Sequence, residues 1–333
     1  MSVNVLAMIH GISPQNVPTS YATEYAAFWS ALTEAQPELS NLFKRAPIQV
    51  EWGNELPGEE GIPSGDLRAD HQLTRAQNFV NDRVAYDNLI KDPHPNNHPM
   101  SLFRTGEADF PWFTPISRFA VAQLREQLIT RGLGDVLYYV SPNGETQTRI
   151  TVYAQILSQL DLYLDEPDVR IHLIGQSLGV TLSHDFLYGL FAPDHEPGFY
   201  KQGKKEDIER FMKWRDKVHK GELKLGSLTS TASQLSILTM RKQVMVDQLA
   251  NKQLLKASDI GIKTSDRVKW NLFYDVDDVL AFGTRRLYDA PDAIQEIQVD
   301  AGDNPVIVHI KYWENKTVIM ETAKLLLETA KAA

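Results

Sequence analysis

One pentapeptide constrains this chain more than any other feature. The run Val169-Arg170-Ile171-His172-Leu173-Ile174 reads as a strand and passes straight into Gly175-Gln176-Ser177-Leu178-Gly179. Residues 178–192 then resume as an apolar helix. A strand that turns this sharply into a helix leaves no room for side chains on either side of the turn residue. Glycines at 175 and 179 remove those clashes. Such a turn lifts the Ser177 hydroxyl to the carboxyl edge of a sheet, where the helix N-terminus behind it favours negative charge. Ser177 is the candidate nucleophile. A strand–helix turn that merely packs tightly would use the same residue types.

The rest of the chain repeats the alternation. Residues 3–9 read as a short buried strand. Residues 20–36 read as a helix with Tyr25, Phe28 and Leu32 on one face, and Ile48 to Trp52 as a second strand. Periodicity fades from about 54 to 112, a stretch punctuated by Pro57, Pro63, Pro93, Pro95 and Pro99, with a possible helix around 72–90. A helix over 115–131 and a strand over Asp135–Val140 follow. A helix with Ile150, Tyr153, Ile156, Leu157 and Leu160 on one stripe comes next. The stretch 199–220 is rich in Lys, Glu, Asp and Arg and reads as a solvated helical excursion. Beyond it come a strand near 222–227, a Ser/Thr-rich turn, a helical tract to about 255, strands over Val268–Tyr274 and Ile294–Val299, and an amphipathic helix over 315–331. Strands alternating with helices require a mostly parallel sheet covered on both faces, an α/β fold in three αβα layers. We expect a single domain over 1–333, with insertions at about 54–112 and 196–220 as candidate lid or substrate wall.

The 333 residues, 43% of them hydrophobic, suffice for one large core. A formal net charge of −9 argues against a general binder of nucleic acid, which needs clustered Lys and Arg. Cysteine is absent, so no disulfide, thiolate metal site or cysteine nucleophile is available. The opening MSVNVLAMIHGISPQ lacks the basic start and long apolar stretch of a secretory signal, and no run approaches a membrane span; the expectation is cytoplasmic. His71, His94 and His98 have no acidic cluster beside them and are not read as a metal site.

A serine hydroxyl needs a base, usually histidine. His184, His195, His219 and His309 follow Ser177. His184 is seven residues along the elbow helix, two turns away and out of reach. His195 and His219 flank the charged stretch, and His309 lies between the last strand and the final helix. Asp275, Asp277 and Asp278 at the end of the Val268–Tyr274 strand are candidates for the acid that orients the base, though aspartates are also common in polar turns.

His10-Gly11 after the first strand, Gly175 to Gly179, Asp277-Asp278-Val279-Leu280-Ala281 and His309-Ile310-Lys311-Tyr312-Trp313 together resemble the alpha/beta-hydrolase superfamily, in its bacterial serine esterase and lipase-like branch. The last piece is similar to the H-x-x-Y-W that carries the base in some bacterial members. The aspartate piece is similar to a D-P-V-A acid turn with Val279 in place of proline, and Leu225-Gly226-Ser227-Leu228 to a T-x-G-S-P turn without its proline. The resemblance implies the alpha/beta-hydrolase fold, with no counterpart of the family's first two strands before residue 3. It also implies the chain order serine, acid, histidine, which selects His309 as base and Asp278 as acid. The backbone amides of Leu178 and Ile12, with Gly11 next, become the oxyanion hole. The implied activity is cleavage of a small-molecule or lipid carboxylic ester, with no cofactor. Acyl transfer on the same triad, or a hydrolase-fold binding protein without activity, are the alternatives.

Overall fold

A computed structural model describes residues 2–11, 21–52, 142–193, 204–239, 251, 253–278, 280–302 and 307–332. All belong to one compact unit, Met1–Asn54 with Gln127–Ala333; a second unit, Glu55–Glu126, lies outside the described residues. So do the expected helices at 72–90 and 115–131 and the strand at 135–140.

Among the described residues six strands form one sheet: β1 (Val3–Ile9), β2 (Ile48–Val50), β3 (Val169–Gln176), β4 (Leu223–Thr231), β5 (Trp270–Tyr274) and β6 (Ile294–Gln298). Their order is β2-β1-β3-β4-β5-β6, and every neighbouring pair is parallel. A parallel sheet joined by helical crossovers must be covered on both faces, and the side-chain alternation of β1 shows how. Val5, Ala7 and Ile9 enter one core with α3 (Pro142–Leu160), α4 (Leu178–Phe191) and α5 (Lys205–His219). Leu6 and Met8 enter a second core with α1 (Ala22–Ala35) and α8 (Lys316–Lys331). Three short helices, α2 (Leu39–Leu42), α6 (Leu235–Thr239) and α7 (Ile307–Ile310), complete the set used here. The stripes expected from spacing are buried at Tyr25, Phe28 and Leu32 on α1 and at Tyr153, Ile156, Leu157 and Leu160 on α3, with Ile150 only partly buried at the edge of the same core. Helix α8 starts where Asn315 caps it, its side-chain oxygen accepting from the amides of Thr317 (2.9 Å) and Val318 (3.3 Å).

Three expectations are corrected. The charged stretch reads as a solvated excursion, yet residues 205–219 form a regular sheet-covering helix. Its Phe211 and Trp214 are fully buried against α3 and α4, with Ile208 and Val218 at the edge of the same core. The spacing 208, 211, 214/215, 218 is one apolar stripe hidden among charges. Arg215 on that stripe donates to the carbonyls of Gly189, Ala192 and Pro193, so the helix also closes the C-terminus of α4 with a cation.

The Ser/Thr-rich turn expected after residue 227 is strand instead: β4 continues to Thr231, paired with β3 as far as Gln176. β-branched threonine suits a doubly buried strand, and the buried hydroxyls can find partners, as Ser230 does by accepting from Trp270 Nε1 at 2.9 Å. For the same reason Leu225-Gly226-Ser227-Leu228 is not a turn. The register with β3 jumps from Leu225 to Ser227, leaving Gly226 as an extra residue beneath the His172 ring, where any Cβ would overlap the imidazole.

Candidate active site

The sheet order places β2 on one side of β1 and all later strands on the other. The chain thus changes winding direction between β1 and β3, and a crevice outside their carboxyl ends is where such sheets bind ligands. Gly11 follows β1 and Ser177 follows β3 at that point.

Ser177 has φ 52° and ψ −123°, a conformation that L side chains rarely adopt. It is held by its amide donating to Thr231 O at 2.8 Å and by the close fit of three glycines. A Cβ on Gly175 would lie 2.8 Å from Gly179 O; one on Gly179 would press into the carbonyls of Ile9 and His10; one on Gly11 would lie 2.7 Å from Ser177 Cβ. The elbow and the loop after β1 therefore interlock through backbone, and each contact excludes even alanine.

The structure brings Ser177, His309 and Asp278 together. His309 Nε2 lies 2.8 Å from Ser177 Oγ. His309 Nδ1 lies 3.0 Å from each carboxylate oxygen of Asp278, whose side chain is fully buried. With Nδ1–H donated to a carboxylate, the Nε2 lone pair faces the serine hydroxyl, the protonation a general base requires. His309 stands on α7 and its carbonyl accepts from Gln176 Nε2 at 3.2 Å, so a side chain of the elbow itself steadies that histidine.

The three aspartates have separate duties. Asp277 is exposed. Asp275 is buried and shapes the turn: Oδ1 accepts from the Asp277 amide (2.9 Å) and Oδ2 from the Ala301 amide (2.6 Å). Asp278 faces the histidine and also accepts from the Leu280 amide at 3.0 Å. The carboxylate that binds the turn amides is thus that of Asp275.

Of the expected oxyanion donors, Leu178 is the first residue of α4, where an amide has no partner within the helix. Gly11 abuts Ser177, and Ile12 lies outside the described residues. The loop bearing Gly11 is braced by contacts the sequence does not announce. His10 stacks between Tyr21 (ring centroids 3.7 Å) and Trp52 (5.4 Å). Its amide donates to Tyr25 Oη (2.8 Å) and its carbonyl accepts from Trp52 Nε1 (2.9 Å). Burial lowers the His10 pKa to about 4, partly offset by the Gly11 carbonyl 2.6 Å from Nδ1, so the ring stays neutral near pH 7.

His184, on α4, faces Tyr288 rather than the serine. His219 ends α5, and His71, His94, His98 and His195 lie outside the described residues. Among the described residues no three or more His, Asp or Glu gather as metal ligands, and no helix is long and apolar enough to cross a membrane. Comparison with protein-family models, with curated proteins and with solved structures found no match, so the chemistry of the site has to be argued from its own residues.

Proposed function

We propose that this chain is a serine hydrolase of the alpha/beta-hydrolase type that cleaves a carboxylic ester through an acyl-enzyme. The observation that carries the proposal is the aligned series Ser177 Oγ, His309 Nε2, His309 Nδ1 and Asp278, at contacts of 2.8 and 3.0 Å, with the serine on a strained turn at the switch point of a parallel sheet. His309 takes the hydroxyl proton as Ser177 attacks the ester carbonyl, and the buried Asp278 carboxylate stabilises the imidazolium. The oxyanion that forms meets the Leu178 amide at the helix N-terminus, beside Gly11. His309 then gives its proton to the departing alcohol. Water, deprotonated by the same histidine, attacks the acyl-serine and releases the acid. Every proton is returned, and no step asks for a cofactor.

A panel of p-nitrophenyl esters of increasing acyl length tests this. Wild-type protein should hydrolyse at least one ester with burst kinetics, and Ser177→Ala should release p-nitrophenol at the background rate. Equal rates from the two proteins would end the proposal.

A further inference from the structure

The acid does not meet the base alone. Tyr312, fully buried one turn after His309, donates its hydroxyl to Asp278 Oδ2 at 3.0 Å. The Tyr312 hydroxyl oxygen in turn accepts from the Asp275 amide at 2.8 Å. A phenol has one proton. Because the amide of Asp275 can only donate, it occupies a lone pair of the phenol oxygen, which commits that proton to Asp278. Burial first, and then the charge of Asp278, raise the Tyr312 pKa above the ordinary tyrosine value, so the hydroxyl stays protonated wherever the enzyme would work. Among the described residues, the charged groups whose fields reach Tyr312 are Asp278 and Asp275, and from the elbow side His309 meets the uncharged Ser177 and Gln176.

We propose that Tyr312 is a positioning residue that sets the working basicity of His309 by sharing the charge of Asp278. Oδ2 receives Tyr312 O–H, Oδ1 receives the Leu280 amide, and His309 Nδ1–H lies 3.0 Å from both oxygens. Each donor that spreads the carboxylate charge weakens its pull on the imidazolium. The tyrosine thus limits the pull of the carboxylate on the histidine, and it ties the Asp275 end of the acid turn to the segment that carries His309. The inference rests on the proposed hydrolase chemistry. It extends that chemistry, because the triad can operate without this hydroxyl, though over a different pH range.

The test is the pH dependence of kcat/KM for a p-nitrophenyl ester with the full chain. In Tyr312→Phe the carboxylate charge concentrates and the imidazolium gains stability. The acid limb should therefore move to higher pH by about half a unit to one unit. KM should hold, and plateau kcat should fall by less than about tenfold. Loss of the hydroxyl also strands the Asp275 amide, so a lower Tm accompanies either outcome and decides nothing. The second variant keeps the fold's contacts: 3-fluorotyrosine placed at 312 is a stronger donor, and the acid limb should move down by a few tenths of a unit. Limbs that stay at the wild-type pH in both variants would show that Tyr312 only braces the turn. If Ser177→Ala retains hydrolysis, the hydrolase reading itself falls. If Ser177→Ala is inactive and the limbs do not move, only the role of Tyr312 falls.

Discussion

Two serine–histidine pairs, one at the carboxyl end of the sheet and one within it, share the same contact distance. Ser177 Oγ lies 2.8 Å from His309, and Ser227 Oγ lies 2.8 Å from His172. Each histidine has a third group behind it. For His309 it is the carboxylate of Asp278; for His172 it is the amide oxygen of Asn4 at 3.3 Å, whose nitrogen is engaged by the carbonyls of Leu42 and Ala330. The surroundings then diverge. His172 is sealed between strands, and burial, with small contributions from Arg170 and Lys269, lowers its pKa to about 3. A neutral amide stabilises an imidazolium far less than a carboxylate does, and burial opposes the charge, so His172 stays neutral at ordinary pH. Ser227 lies inside β4 and is wholly buried, whereas Ser177 stands on a strained turn before a helix. A short Ser–His contact is therefore not sufficient for reactivity. The carboxylate, the helix N-terminus and the position at the sheet's edge separate a candidate nucleophile from a structural hydrogen bond.

The largest expected effect contrasts the two serines directly. Ser177→Ala should lower ester turnover by roughly 10⁴- to 10⁶-fold, and His309→Ala comparably, because triad members act as a unit. Ser227→Ala should leave turnover within about threefold of wild type, and lose about 1–3 kcal/mol of stability because His172 Nδ1 is left without its partner. A dead Ser227→Ala that is still fully folded would break the distinction.

The second effect turns one region into the other. Asp278→Asn gives His309 the amide that His172 already has, and kcat should fall by up to about 10⁴-fold through a mis-set tautomer. Asp277→Asn, on an exposed side chain, should cost less than about threefold. Steady-state kinetics of the two variants would show whether charge or mere hydrogen bonding matters behind the base.

A smaller effect concerns stability against pH. His10 and His172 are held neutral down to about pH 4 and about pH 3, while in the unfolded chain they protonate near 6.5. Folded values below unfolded ones mean that their stabilisation is fully present above pH 6.5 and drains away as pH falls toward the folded values. Each contributes a slope of up to about 1.4 kcal/mol per pH unit in that window. Denaturant unfolding at pH 6.5, 5.5 and 5.0 should show the decline, and His172→Gln should remove about half of the part due to these two residues. An unchanged slope in that variant would mean His172 is not buried in its neutral form.

Much of this site was legible in the sequence because its signals are local. The glycine spacing around Ser177, the strand before it and the apolar helix after it lie within about two dozen residues, and the backbone clashes at Gly175 and Gly179 are the reason for that spacing. His309 could be chosen by its place after the last strand. Asp278 was singled out among Asp275, Asp277 and Asp278 through the resemblance; the residues by themselves left the three open, because which carboxylate faces the histidine depends on a turn that Tyr312 and Ala301 hold from far along the chain. The bracing of His10 by Trp52 spans 42 residues and left no periodic trace. Tyr312 had a signal, its spacing of three from His309, but a tyrosine beside a tryptophan reads equally well as core. In the fold, β4 and α5 were the segments misread, since hydroxyls and charges on a buried strand and a half-buried helix mask the apolar pattern that burial follows.

Ser177 is proposed as the activated serine. Labelling the intact protein with a fluorophosphonate and locating the adduct by peptide mass spectrometry addresses it without knowledge of the substrate. The account predicts a single adduct on Ser177, absent from Ser177→Ala and strongly slowed in His309→Ala. An adduct on another serine, or an undiminished one in Ser177→Ala, would contradict it.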